Sequence, residues 1–73
     1  MPLEEKLRSK IKISTELIHE LEDQISRYQF LLSLASGSSL ENYSLKISQI
    51  NKQLTVKQEA LKLAIQQLED LLV

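Results

Sequence analysis

The chain of 73 residues predicts an all-α fold, an antiparallel two-helix hairpin packed in the manner of a coiled coil. Three observations predict it. Leu7, Ile11, Ser14, Ile18, Leu21, Ile25, Tyr28, Leu32 and Ala35 recur in alternating steps of four and three. Leu40, Tyr43, Ile47, Ile50, Leu54, Lys57, Leu61, Ala64, Leu68 and Leu71 repeat the pattern, and Gly37, the one glycine, lies between the two records. Steps of three and four hold side chains on one helix face, so each record is an amphipathic seam that needs a partner.

The first helix is expected over about residues 2–36. Pro2 suits a first turn, where its missing N–H is no loss, and Glu4 and Glu5 suit the positive end of the helix dipole. No proline or glycine interrupts from there to Ser36, which allows a helix of roughly 50 Å. Mixed composition would leave it only partly formed in isolation, so packing must supply the rest.

The turn is expected over 36–39. Gly37 fits the left-handed residue that ends the first helix, and Ser38 with Glu41 spells an S-x-x-E capping box for the second. Adjacent stop and start signals make the connection tight and the helices antiparallel neighbours. The second helix then runs over about 39–72, so residues 1–73 form a single helical-hairpin domain without tandem repeats or low-complexity segments.

Centring the turn on Gly37 pairs residues whose numbers sum to about 75, each joining an a with a d position of the heptad. Leu32 then faces Tyr43, Tyr28 faces Ile47, Ile25 faces Ile50, Leu21 faces Leu54 and Leu7 faces Leu68. The middle layers look thinner: Ile18 faces Lys57, Ser14 faces Leu61 and Ile11 faces only Ala64. The half beside the turn is therefore expected to pack better. The open half is expected to bend, fray or accept a partner.

Composition narrows the function. A single 73-residue core is marginal in size, and two helices bury only one stripe each, so a chain that is 42% hydrophobic has apolar surface to spare. Nine basic against ten acidic residues give a net charge of −1, which speaks against general attraction to nucleic acid or anionic membranes. Lys6, Arg8, Lys10 and Lys12 form a basic stretch, followed by an acidic one at Glu16, Glu20, Glu22 and Asp23. The absence of cysteine rules out disulfides and cysteine-based zinc sites. No apolar run approaches the length of a membrane span, and the first residues lack the apolar core of a secretory signal. The expectation is a soluble, intracellular protein without membrane insertion.

Chemistry is missing as well. His19, the one histidine, sits among flexible surface carboxylates and reads as a surface helix residue rather than a metal ligand. A nucleophile needs a base and an orienting group in a concave pocket, which a single hairpin does not offer. One glycine builds no phosphate-cradling loop. Tyr28 and Tyr43 read as core aromatics whose hydroxyls reach water. The expectation is therefore no enzyme, with no catalytic, cofactor-binding or metal residues and no cofactor.

Several large apolar residues lie off the seams. Leu3, Leu17 and Leu31 at g positions, and Ile65 and Leu72 at e positions, may be read as widening the seam. Ile13, Phe30, Leu34, Leu45, Val56 and Leu63 lie further out. Val56 and Leu63 share a face that a two-helix hairpin leaves uncovered, and apolar clusters rimmed by charge mark interaction sites. Homodimerisation and a hetero-complex are both open on this pattern.

Nearly the full length resembles the small E-type cochaperones of bacterial type III secretion systems (the YscE, PscE and EscE group). The likeness rests on Leu3-Glu-Glu-Lys-Leu7, the Gly/Ser turn at Gly37, Tyr43 shortly after it, and the run of Lys57, Ala60-Leu61 and Ala64-Ile65. The first helix runs longer before its turn than those of the family. The resemblance implies a cytoplasmic bacterial protein that docks on a tetratricopeptide-like chaperone. Through that chaperone it would help keep the needle subunit soluble and unpolymerised before secretion, a role linked to virulence. Docking would be by helix face, with the contact surface placed on the open half at Leu3, Leu7, Ile11, Ala60, Ala64 and Ile65, and Val56 and Leu63 in reserve. The alternative is a self-assembling structural coiled coil, two hairpins closing into a four-helix bundle. A nucleic-acid-associated hairpin is disfavoured by the charge.

Overall fold

The computed structural model describes Pro2–Val73 and consists of two α-helices, α1 (Pro2–Leu34) and α2 (Ser38–Leu72), folded back on each other. The hairpin is a rod of 55 × 14 × 14 Å. Its radius of gyration is 16.5 Å, against about 11 Å for a compact domain of this length. The core is accordingly a line between two helices rather than a volume.

Both helices are bounded slightly differently from the sequence expectation, and the turn is built on a different principle. α1 stops at Leu34 and α2 begins at Ser38, leaving Ala35, Ser36 and Gly37 as the connection. Gly37 has the expected positive φ, but its φ of 64° and ψ of −136° are not those of a left-handed helical residue. It acts as the N-cap of α2, and its carbonyl accepts the Leu40 N–H at 3.2 Å. The S-x-x-E capping box does not form: Ser38 is already helical, and no side chain caps α2. Ser36, Gly37, Ser38 and Ser39 are all exposed at the hairpin tip, where water can satisfy the free helix N–H groups.

The distribution of burial corrects the expectation about the two halves. The buried residues are Leu7, Ser14, Ile18, Ile50 and Ala64, and four of these five belong to the half that holds the termini. Beside the turn, Tyr28, Leu32, Tyr43 and Ile47 are half-buried, and Leu40 is exposed. Side-chain volume alone predicts thin layers here, but Ser14 and Ala64, although small, are among the most buried residues of the seam. Ala64 retains only 1% of its accessible surface, so α1 covers it completely.

Near the turn the two tyrosines pack against each other. The Tyr28 and Tyr43 rings lie 6.0 Å apart at 44°, within the range of a favourable tilted aromatic pair. Both are d positions of neighbouring layers, one diagonal step from the direct pairings of Tyr28 with Ile47 and Leu32 with Tyr43. Elsewhere the helices look after their own polar groups. Thr15 Oγ1 donates to the Ile11 carbonyl at 2.8 Å, Thr55 Oγ1 to Asn51 at 3.0 Å and Ser33 Oγ to Phe30 at 2.6 Å. Arg8 donates to Glu4 Oε1 from Nε and Nη2 at 3.0 and 2.8 Å. This exposed i,i+4 pair contributes about 0.3–0.5 kcal/mol.

Two substitutions test this account. Ala64→Leu overpacks the most buried position of the seam and is expected to cost about 1–3 kcal/mol, read as a lowered midpoint in thermal unfolding by circular dichroism. An unchanged midpoint would show that the helices are not in close contact there. Gly37→Ala meets no atom within 4 Å, so any loss comes from its backbone angles alone, about 1–3 kcal/mol. A gain in stability would refute the strained turn.

Candidate partner-binding face

Antiparallel pairing sets the g edge of one helix beside the g edge of the other, and e beside e. The two broad sides of the rod therefore differ. On the g side α1 contributes Leu3, Leu17 and Leu31, backed by Ile13 and Leu34 at the adjacent c positions. α2 contributes Ala60 at g and Val56 and Leu63 at c. Most of these are well exposed: Leu3 54%, Ile13 57%, Leu34 70%, Val56 64% and Leu63 60%. On the e side the corresponding α1 residues Arg8, Thr15, Glu22 and Gln29 are polar, and α2 offers only Ile65 and Leu72 as large apolar groups.

Surface grooves follow the same division. One of about 670 Å³ is flanked by Ile13, Ser14 and Leu17 of α1 and Lys57 of α2. A second joins Leu3 and Leu7 to Gln67, Asp70 and Leu71, and a third joins Tyr28 to Tyr43 and Lys46. A fourth, beside Lys52, Gln53, Val56 and Lys57, extends the first along α2. The first meets the seam at Ser14, which is buried, and at Lys57, which turns out to water.

The residues singled out from the sequence separate into three groups. Leu7 and Ala64 are buried between the helices, so their main surfaces serve the hairpin itself and are not free to meet a partner. Ile11 is half-buried in the same seam. Leu3, Val56, Ala60 and Leu63 lie together on the g side, whereas Ile65, 39% exposed, lies on the opposite edge. Ile13 and Leu17 complete the g-side patch between Leu3 and Val56 and were not among the residues expected to bind. The signal for them was present in the heptad letters, because c and g of one helix meet c and g of an antiparallel neighbour.

The surface total makes the same point in area. The chain exposes 5661 Å², whereas a compact protein of 8.4 kDa exposes about 4,600 Å². The excess of roughly 1,000 Å² follows from the rod shape and leaves ample surface for a standard interface, to which one partner contributes roughly 800 Å². Among the described residues, no group of three or more His, Cys, Asp or Glu is placed to hold a metal ion, and no helix is long and apolar enough to cross a membrane. Comparison with protein-family models, curated proteins and solved structures finds no match.

If the g-side patch is external to the folding core, Val56→Ser and Leu63→Ser should each shift stability by no more than about 0.5 kcal/mol. Thermal unfolding of the single variants checks this. A loss of several kcal/mol would mean that these side chains are covered in the folded protein.

Proposed function

We propose that this hairpin is a small cochaperone of a type III secretion system, docking on a tetratricopeptide-like chaperone and helping to keep the needle subunit soluble and unpolymerised before secretion. The observation that carries the docking part is the uncovered apolar face running from Leu3 through Ile13 and Leu17 to Val56, Ala60 and Leu63. The identity of the partner rests on the family resemblance of the sequence. A two-helix rod with no third element to cover this face resembles a fragment of a helical stack, and tetratricopeptide repeats are stacks of helix pairs whose ends and grooves accept another helix pair. On this reading the protein works in the bacterial cytoplasm, without an enzymatic step, and chiefly stabilises the chaperone.

Co-purification from the native host, with mass spectrometry of the bound proteins, is expected to recover a tetratricopeptide protein together with a needle subunit. Recovery of neither would overturn the reading. With that complex in hand, Val56→Glu combined with Leu63→Glu should weaken association at least tenfold, since each introduces a charge into a desolvated contact.

A further inference from the structure

The apolar face carries a charge opposite in sign to that of the rest of the rod. Lys6, Lys10, Arg27, Lys46 and Lys57 lie on it or border its grooves, against Glu20 and Asp70, for a balance of +3. All seven are exposed. The remaining surface holds Arg8, Lys12, Lys52 and Lys62 against eight carboxylates, a balance of −4, and the two together return the chain's −1. Glu5 and Lys52 border the first and fourth grooves, and counting both with the face leaves it at +3. A nearly neutral protein is thus divided, with Lys6, Lys10 and Lys57 beside the exposed Leu3, Ile13, Leu17 and Val56.

We propose that this face docks an amphipathic α-helix whose apolar stripe is flanked by acidic residues. The inference takes from the proposed function only that docking is by helix face, and does not depend on which protein supplies the helix. The apolar centre spans Leu3 to Leu17 on α1 and Val56 to Leu63 on α2. At 1.5 Å per residue the α1 stretch is about 21 Å long, which accommodates about four turns of a partner helix. Its ridge side chains would enter the groove lined by Ile13, Leu17 and Lys57, and its carboxylates would meet Lys6 and Lys10 on α1 and Lys52 and Lys57 on α2. A second copy of the hairpin presenting the same face would set +3 against +3, and like charges across an interface oppose association. A furrowed surface also suits interdigitating side chains better than the smooth boundary of a lipid layer.

The probe is a 21-residue peptide with Leu at heptad a and d positions and Glu at e and g, compared with a twin carrying Lys in place of Glu. Binding of each to the full chain is measured by fluorescence anisotropy at 50 and 500 mM NaCl. Contact sites are mapped from amide shifts, and the free chain is examined by sedimentation equilibrium. The Glu peptide is expected to bind at least tenfold more tightly than the Lys peptide at low salt, with the gap narrowing at high salt. Ile13→Asp and Val56→Asp should abolish binding while leaving the helical circular dichroism unchanged, and Ile65→Asp on the opposite edge should leave binding intact.

Equal affinity for the two peptides, or no binding of either, overturns the proposal. So do amide shifts confined to the Ile65 side, or a stable dimer broken by Val56→Asp, which would assign the face to a second copy. Binding to phosphatidylserine vesicles that is lost in the same variants, with no peptide preference, would assign it to a membrane surface and equally overturn the proposal. Failure to recover a tetratricopeptide protein from the host would leave the peptide result standing. Recovery of one without any preference for the Glu peptide would remove this inference alone.

Discussion

The line of burial between the two helices, at Leu7, Ser14, Ile18, Ile50 and Ala64, governs the rest of the structure. Two helices have only a line of contact between them, so each layer contributes little volume, and burial depends on how near the backbones come. Ala64 and Ser14 contribute almost no side chain of their own. They allow Leu7 and Ile18 to be covered by the opposite helix instead of being held away from it. The result is a shallow seam, with a groove alongside it where Lys57 turns out to water. At the other end, Tyr28 and Tyr43 pack against each other and remain half-buried.

The tip imposes a second constraint of a different kind. Gly37 reverses the chain with backbone angles open to glycine and strained for other residues, and nothing packs against it. Its role is therefore conformational rather than a matter of contacts. Because the tip is surrounded by water, α2 can begin without a side-chain cap, and Ser38 and Ser39 are free of any structural duty there. The turn sets the pairing of α1 with α2, while the seam supplies the energy that holds them together.

Much of this was legible in the sequence, because the heptad pattern is a direct consequence of helix geometry. The two helices, their antiparallel order and the seam positions follow from steps of three and four, and the turn from the glycine that separates them. The capping box was misread because S-x-x-E describes which residues can form a cap, not which residue the helix starts on. A start one position earlier places the Ser38 hydroxyl inside the helix. The relative burial of the halves does not follow from side-chain size either: Ala64 is small and yet the most completely covered residue of the seam. Leu7 and Ala64 were accordingly assigned to a partner although the hairpin consumes them, while Ile13 and Leu17 were passed over. A one-dimensional pattern shows which edge of a helix is apolar. Joining the edges of both helices into one face requires the three-dimensional pairing.

That pairing separates the forces that fold the chain from those available for binding. Leu7, Ile18, Ile50 and Ala64 are committed to the seam, and substitutions there act on folding first. Val56 and Leu63 touch the seam little and can change the surface without opening the rod. The lysines beside them extend the same separation to charge. Lys57 occupies a d position and yet remains exposed, a placement that weakens the seam and adds a cation to the groove it opens. A leucine at that position would close the groove and tighten the hairpin. The lysine keeps the site concave and basic, so one residue that detracts from folding contributes both the shape and the charge of the candidate binding face.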